Sequence, residues 1–223
     1  MSSRLHLLSS WPEPPIIEQE PPVFPGEFSW DARNFAQEQI RRLVRQVFFP
    51  GWPHPARHVG FVGIDEAIDT GAICIEVGHV LATEIQANTC VIEASRSAAH
   101  GLNSSENSRV HRVAGRLWQM PQSVFLEGGG SGMSAVWLEN RLEKVRSDFD
   151  FTLLNLPSAD RSSEALLLGH LSDGVILVVE AHSTRRVKAQ MTKDLLQAAN
   201  VRILGTVLNG RRFPIPEKIY RRL

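Results

Sequence analysis

From position 59 onward, short apolar runs alternate with amphipathic segments along the chain. The apolar runs are Val59–Ile64, Thr89–Glu93, Ser123–Leu126, Phe151–Leu156, Val175–Val179 and Val201–Leu208. The segments between them, which carry apolar residues at helical spacing, are Gly71–Gln86, Ser108–Trp118, Ser134–Val145, Ser162–Leu171 and Thr184–Ala199. Strands that alternate with helices form βαβ units, so the pattern predicts an α/β fold: a parallel sheet with helices on both faces.

The N-terminal part of the chain has a different pattern. Nine of the 13 prolines precede residue 60, and six of these nine lie in Trp11–Pro25. Residues 1–30 are therefore predicted to form an extended, flexible, Pro-rich tail. Helical spacing of apolar residues then begins after Asp31, a residue suited to capping a helix, and continues to Phe48. We therefore expect a single domain over residues 31–223.

Composition and charge narrow the range of functions. The chain has 24 Lys+Arg and 24 Asp+Glu, and this balance argues against nucleic-acid binding through bulk electrostatics. The N-terminus makes a poor signal peptide, and no apolar run approaches the roughly 20 residues of a membrane span. Cys74 and Cys90 fall in apolar stretches, as buried thiols of a reducing compartment do. We expect a cytoplasmic protein whose last 13 residues are basic, with five Lys+Arg against one Glu.

The loop after the first strand stands where a phosphate-binding loop would lie. Such a loop needs glycines for its backbone N–H groups, a lysine for the phosphates and a hydroxyl for magnesium. This loop instead carries Asp65, Glu66 and Asp69, no lysine, and Gly71 as its one glycine. Thr70 is either a magnesium ligand or a helix cap. Because its charge has the wrong sign, a structural loop is favoured over a nucleotide site.

Two other strand ends carry polar residues. Glu93 is suited to activating water or to holding magnesium through water, but a solvated acid or a partner for Arg96 is the favoured interpretation. Asn155 carries no charge for a metal, so we expect a structural hydrogen bond.

A glycine run and a histidine pair are further candidate sites. Gly128–Gly132 precedes a helix and lacks the lysine of a phosphate loop, so a flexible connector is favoured over an anion site. His54 and His58 lie among prolines without a neighbouring Cys or acid, and we predict no metal site there.

Six segments, taken in order, carry a resemblance to a known family. They are Glu38–Leu43, Val91–Ala94, Phe151–Pro157, Asp173–Ala181, Thr184–Arg186 and Ile203–Asn209. Together they resemble the bacterial tyrosine kinases of capsule and exopolysaccharide synthesis, within the MinD/ParA-type deviant P-loop ATPases. The resemblance covers roughly residues 35–213 and implies a three-layer P-loop-NTPase-like fold. It also implies ring formation through the Glu-x-x-Arg-x-Leu helix, represented here by Glu38, Arg41 and Leu43.

The chain departs from the family where phosphates and metal would bind. The catalytic lysine of the Gly-x-Gly-Lys-Thr-Thr motif falls on Asp69 or Thr70, and the two motif aspartates align with Glu93 and Asn155. The altered nucleotide-site positions are Asp69, Thr70, Gly71, Ala72, Glu93 and Asn155. The family's tyrosine cluster is reduced to Tyr220, the one possible phosphoacceptor. Since phosphoryl transfer depends on positive charge and metal around the phosphates, these changes should remove most of that stabilisation.

Three functions follow, in order of preference. The first is a catalytically inactive tyrosine-kinase-like scaffold or regulator of exopolysaccharide or capsule biosynthesis or export, without a cofactor. The second is an active protein tyrosine kinase or ATPase that uses ATP and magnesium with non-standard residues. The third is an interaction module whose Pro-rich tail docks onto an aromatic-lined groove. The resemblance implies a homo-oligomer held at the inner membrane face by a membrane polysaccharide co-polymerase or export protein.

Overall fold

One sheet of seven strands organises the residues that the computed structural model describes, which are 32–49, 55–95, 109–128 and 134–210. The strands are β1 His58–Gly63, β2 Thr89–Glu93, β3 His111–Ala114, β4 Leu117–Met120, β5 Phe151–Leu156, β6 Gly174–Glu180 and β7 Ile203–Asn209. Their order across the sheet is β3-β4-β2-β5-β1-β6-β7, and only the β3–β4 pair is antiparallel. The predicted α/β fold with a mostly parallel sheet is therefore confirmed.

Six helices are described around the sheet. They are α1 Ala32–Phe48, α2 Thr70–Thr83, α3 Gln122–Phe125, α4 Ala135–Asp148, α5 Ser163–Leu171 and α6 Arg186–Ala198. α1 and α2 contribute Phe48 and Leu81 to one apolar core, which includes Phe61 of β1. α4, α5 and α6 contribute to a second core, which includes Val62, the next residue of β1. Because successive strand residues point to opposite faces, the two cores lie on opposite sides of the sheet.

The prediction of a helix over Ser108–Trp118 was wrong, because its described part, residues 109–118, contributes to the hairpin of β3 and β4. β4 pairs in parallel with β2 through four residue pairs, and this pairing buries Leu117 completely. β3 then pairs antiparallel with β4, and the Arg112 guanidinium stacks over the Trp118 ring at 4.8 Å. Tertiary pairing overrides the local pattern in this segment.

The prediction of a strand over Ser123–Leu126 was also wrong. The four-residue helix α3 begins directly after Pro121, and its Phe125 is fully buried in the core on the α4 side. A short apolar run is compatible with a strand or with one turn of buried helix. In this structure a helical turn buries the Phe125 side chain. The glycine run that begins at Gly128 therefore follows a helix and not a strand.

Two further points concern the limits of the fold. No helix in the described ranges is both long and apolar enough to cross a membrane. Residues 1–30, predicted to be the Pro-rich tail, lie outside the described residues, so the proposed domain boundary at residue 31 stays a prediction.

Candidate functional site

The loop between β1 and α2 ends in a carboxylate that caps its own helix. Asp69 is the N-cap of α2, and its Oδ1 accepts a hydrogen bond of 3.0 Å from the backbone N–H of Ala72. The N-terminus of a helix attracts anions because its first N–H groups are unpaired and its dipole is positive there. In this chain a side chain of the loop supplies that negative charge, at the place where a phosphate would bind.

A chain of hydrogen bonds joins three of the altered nucleotide-site positions. The Thr70 hydroxyl donates to Asn155 Oδ1, and Asn155 Nδ2 donates to Glu93 Oε2 at 2.6 Å. The other oxygen of Glu93 accepts from Gln119 Nε2 at 3.2 Å. Thr70 and Asn155 are buried, with 6% and 3% of their surface exposed. The structural hydrogen bond predicted for Asn155 is therefore present, and Thr70 is the first residue of α2 rather than its cap.

Gly71 lies tightly against this chain of hydrogen bonds. A Cβ atom added to Gly71 would lie 3.0 Å from Asn155 Nδ2 and 3.4 Å from Asp69 Oδ1. The absence of a side chain at Gly71 therefore allows α2 to approach the ends of β2 and β5 closely. The glycine serves close packing of α2 in this structure.

A cleft of about 800 Å³ opens over these residues, at the carboxyl ends of the strands. One wall is the β1–α2 loop, and the other is the segment that follows β5. The charged groups that line it are four carboxylates, on Asp65, Glu66, Asp69 and Glu164, and one guanidinium, on Arg161. Ligands of open α/β sheets bind at this end of the strands, so the cleft occupies the position of a ligand site with an excess of negative charge.

Two cations compensate part of that negative charge, and neither was among the site residues predicted from the sequence. Lys188 Nζ lies 2.8 Å from Asp65 Oδ2 and 3.8 Å from Asp160 Oδ2, and Arg161 Nε lies 3.4 Å from Glu66 Oε1. The hydrogen bond from Lys188 lowers the pKa of the Asp65 carboxyl, and the same bond raises the pKa of Lys188. The strand order explains why these two cations lie near the acidic loop. Because β1 lies between β5 and β6, the segments that follow β5 and β6 flank the loop after β1.

The two cysteines are buried, as predicted. Cys74 lies on α2 and Cys90 on β2, and both are free thiols. Burial raises the pKa of Cys74 well above its ordinary value, and the charges of Glu93 and Asp69 raise it further. Burial alone raises the pKa of Cys90 to about 12. Both thiols therefore stay protonated and inert as nucleophiles at neutral pH.

The residues proposed for self-association lie on α1, away from the cleft. Arg41 Nε contacts Glu84 Oε1 at 2.6 Å, just after α2, and Arg41 Nη1 lies 3.7 Å from Glu38 Oε2. These contacts raise the pKa of Arg41, with the hydrogen bond to Glu84 as the main cause. Leu43 is partly buried against the core beneath α1. Within the chain, Arg41 thus joins α1 to α2.

Several predicted candidates fall elsewhere. Tyr220, Arg96, His54 and residues 129–133 lie outside the described residues. His58 begins β1, at the opposite end of the sheet from the cleft. In the parts of the chain that the structure describes, no three His, Cys, Asp or Glu side chains come together in a group that would hold a metal ion.

Comparison with known proteins gives one relative in sequence and several in structure. No family model matches the chain. The tyrosine-protein kinase YwqD of Bacillus subtilis is 24% identical over 80 residues, which is 36% of this chain and 34% of YwqD. The kinase domain of Escherichia coli tyrosine kinase ETK superposes with a TM-score of 0.66 at 17% identity, over 81% of this chain and 78% of that domain. The MinD cell division protein of Aquifex aeolicus gives a TM-score of 0.53 at 12% identity, over 75% and 73% of the two chains.

These similarities differ in what they show. The matched segment spans about a third of the length of YwqD, so the activity of that whole protein does not transfer with it. The structural matches share the fold with this chain over most of the length of both partners. The expected resemblance is therefore confirmed: in sequence and fold, the chain is similar to the bacterial tyrosine kinases of the MinD/ParA-type P-loop ATPases.

Proposed function

We propose that the protein is a catalytically inactive relative of the bacterial tyrosine kinases and acts as a scaffold or regulator in exopolysaccharide or capsule biosynthesis or export. The observation that carries the proposal is the hydrogen-bond chain from Thr70 through Asn155 to Glu93. These three residues are the ones that the resemblance aligns with the phosphate- and magnesium-facing groups of a P-loop kinase.

The hydrogen-bond network is centred on a neutral side chain, which offers no charge to a metal ion. Asn155 is neutral, its Oδ1 accepts from Thr70, and its Nδ2 faces Glu93. Both oxygens of Glu93 accept hydrogen bonds, from Asn155 and Gln119. Magnesium is bound by oxygen ligands in a near-ideal octahedron, usually with one or two carboxylates. Glu93 is the one carboxylate in this network, and its two hydrogen-bond donors hold both of its oxygens in place.

The charges around the cleft also oppose a nucleotide. Asp69 places a carboxylate at the α2 N-terminus, and no lysine is among the residues that line the cleft. Lys188 is engaged by Asp65 and Asp160 at the outer side of the loop. A bound triphosphate would meet four carboxylates, whereas stabilisation of phosphoryl transfer requires positive charge.

The pathway and the partner follow from the resemblance. YwqD and ETK are tyrosine kinases by name. The six segments of the sequence resemble the tyrosine kinases of capsule and exopolysaccharide synthesis, and this resemblance supports the proposed pathway. We propose a membrane polysaccharide co-polymerase or export protein as the partner, which would hold this chain at the inner membrane face.

The decisive experiment measures nucleotide binding and turnover together. The full chain is titrated with a fluorescent ATP analogue and magnesium, with the ETK kinase domain as positive control, and phosphate release is followed in parallel. We expect neither binding at micromolar concentration nor release above background. Micromolar affinity with turnover that Glu93→Ala abolishes would contradict the proposal.

A second candidate function is supported by the size of the cleft. A space of about 800 Å³ at the carboxyl ends of the strands is ample for a nucleotide. An active tyrosine kinase or ATPase with non-standard ligands would release phosphate from ATP or phosphorylate Tyr220. Mass spectrometry of the chain after incubation with ATP, magnesium and the partner tests this function, and a null result in both assays removes it.

Self-association through α1 is a separate part of the proposal and has its own test. Arg41→Glu is expected to change the molecular mass measured by light scattering. Because Arg41 also pairs with Glu84 inside the chain, Glu84→Gln is the matched control, since it removes that pair and leaves Arg41 in place. A mass shift in Arg41→Glu alone supports an α1 interface. Equal masses in parent and Arg41→Glu count against it.

A further inference from the structure

Helix α6 has two apolar sides, and only one of them faces the core. Leu196 is fully buried beneath the helix. On the other side Val187 is 71% exposed, Met191 66% and Leu195 37%. Residues four apart lie above one another on a helix, so these three form one continuous apolar row, which we call the α6 stripe. A single exposed aliphatic residue is ordinary, but a row along a whole helix marks an interaction surface.

The edge of the sheet next to α6 is also apolar. β7 forms this edge in the described sheet, and seven residues run along it, with Leu208 54% exposed. The opposite edge, β3, has four residues, an irregular register and Arg112 stacked on Trp118. Native sheets protect edges by such shortness, irregularity and charge. The pairing of β7 with β6 is also irregular at one point, but β7 is longer than β3 and carries no charged residue. Among the described residues, the less protected edge of the sheet therefore lies beside the α6 stripe.

Two opposite charges border the stripe. Arg186 immediately precedes Val187, and Asp194 immediately precedes Leu195, so each charge lies beside one end of the stripe, on the same flank of the helix. Neither forms an ion pair with any residue that the structure describes; Asp194 accepts a hydrogen bond of 2.7 Å from Gln190. Arg186 begins α6, whose first turn holds no acidic residue, and a cation at that end is opposed by the helix dipole. A carboxylate from outside the helix would relieve this unfavourable charge.

We propose that the α6 stripe is an interface between two copies of this chain, related by a two-fold axis that passes near Met191. The axis makes the two α6 helices antiparallel, because an isologous contact brings the same patch of both copies together. Val187 of each copy then packs against Leu195 of the other. On the shared flank, Arg186 of each copy meets Asp194 of the other, so the interface contains two symmetric ion pairs. The charge order along the helix fits an antiparallel pair of identical helices.

This interface does not depend on whether the protein is a kinase. It also differs from the α1 surface in position and symmetry, because α1 packs on the other face of the sheet. Arg41→Glu should leave the α6 dimer intact, so the two surfaces can be tested separately.

The test reverses the two charges, singly and together, and measures dimerisation of the full chain by sedimentation velocity over a series of concentrations. The parent is expected to show a reversible monomer–dimer equilibrium. Met191→Asp places two carboxylates at the axis and is expected to leave only monomer. Arg186→Glu and Asp194→Arg should each raise the dissociation constant roughly tenfold, because each replaces two attractive pairs with two repulsive ones. The double variant restores both pairs with exchanged signs, and we expect its dissociation constant to return to near the parent value.

The matched control is Lys193→Glu, which changes net charge on the same helix as much as Arg186→Glu does but does not touch the proposed pairs. It should leave dimerisation unchanged, and circular dichroism of every variant verifies folding. A parent that is monomeric at all concentrations overturns the proposal. So does a dimer that Met191→Asp leaves intact, or a double variant that is no better than the single ones.

Discussion

The two ends of the central strands bury polar groups in opposite ways. At the carboxyl end, Thr70, Asn155 and Glu93 complete one another's hydrogen bonds. At the amino end, buried polar atoms of His58, Arg146 and Thr152 have no hydrogen-bond partner among the described residues; the atoms are His58 Nδ1, Arg146 Nε and Thr152 Oγ1. His58 and Thr152 lie opposite each other on β1 and β5, so both ends of the same two strands are polar.

The difference shows where the polar groups of the sheet have become structural. Parallel α/β sheets bind ligands at their carboxyl ends, where polar side chains must remain free to face the ligand. Here those side chains hydrogen-bond to one another. Burial of a polar group without a hydrogen-bond partner destabilises the fold, whereas burial of a hydrogen-bonded pair costs much less. At the carboxyl end these side chains thereby form a closed network of hydrogen bonds beneath the cleft, in keeping with the proposed loss of catalysis.

The largest expected change in stability comes from breaking the hydrogen bonds of Asn155 at the carboxyl end. Asn155→Leu keeps a similar volume but leaves the Thr70 hydroxyl and one Glu93 oxygen without their partner. We expect the free energy of unfolding to fall by about 3 kcal/mol, since each orphaned buried group costs roughly 1 to 3 kcal/mol. Urea unfolding measures this change. A loss below about 1 kcal/mol would mean that water replaces the amide and that the carboxyl end is not closed.

The pH dependence of stability is expected to come from the amino end. The pKa of His58 is lowered from 6.5 to about 4, mainly by burial and next by the nearby charge of Arg146. Of the other nearby charges, Asp173 and Glu143 raise this pKa and Arg57 lowers it. The unfolded chain therefore binds the proton more tightly than the folded chain. Stability is full above pH 6.5 and declines as the pH falls from 6.5 to about 4.

The expected decline is about 1 to 2 kcal/mol, because His58 is only partly buried and solvent screens its interactions. Chemical denaturation at several pH values measures it. His58→Gln should flatten the profile between these pH values, whereas the same change at the exposed His170 should not. An unchanged slope in His58→Gln would assign the dependence to other groups.

A smaller effect of opposite sign is expected from Thr152→Val. This substitution removes a buried hydroxyl that has no partner among the described residues and keeps the shape of the side chain. The free energy of unfolding should rise by up to about 1 kcal/mol. Urea unfolding measures this change as well, and Asn155→Leu in the same strand is the comparison variant because it is expected to lose stability. A loss of stability would indicate that a bound water hydrogen-bonds to the Thr152 hydroxyl.

The smallest effect concerns the ion pair at the outer side of the cleft. Lys188→Met removes the hydrogen bond that lowers the pKa of Asp65. The pKa of the Asp65 carboxyl should therefore rise toward its ordinary value, which carbon-detected NMR titration would show. Both partners are substantially exposed, so thermal stability should hardly change. An unchanged Asp65 pKa would mean that Lys188 does not hold this carboxylate in solution.

Much of the fold could be predicted because burial on both faces leaves a strong local pattern. The strands around residues 59–64, 89–93, 151–156 and 175–179 are continuous apolar runs, and the structure confirms each of them within one or two residues. The errors lie at residues 109–128, where the elements are four residues long. For such short elements the neighbouring strand and the core, rather than the local period, select the conformation.

The candidate site was predicted in its parts but not in its connections. Asn155 was expected to make a structural hydrogen bond, and the structure shows that its partners are Thr70, 85 residues before it in the chain, and Glu93. The roles of Lys188 and Arg161 depend on the strand order, which brings the segments after β5 and β6 to the loop after β1. The pattern of apolar and polar residues along the sequence does not indicate which distant residues come into contact.

By itself, the sequence determined the alternating α/β layout, the position of the loop after β1, and the absence of a lysine from that loop. These properties depend on residue type and local spacing, which can be read without coordinates. Only the tertiary structure decided that Asp69 caps α2, that Asn155 links Thr70 to Glu93, and that two distant cations compensate the acidic loop. The physical reason is that hydrogen bonds and ion pairs act over a few ångströms, so their existence depends on which strands become neighbours.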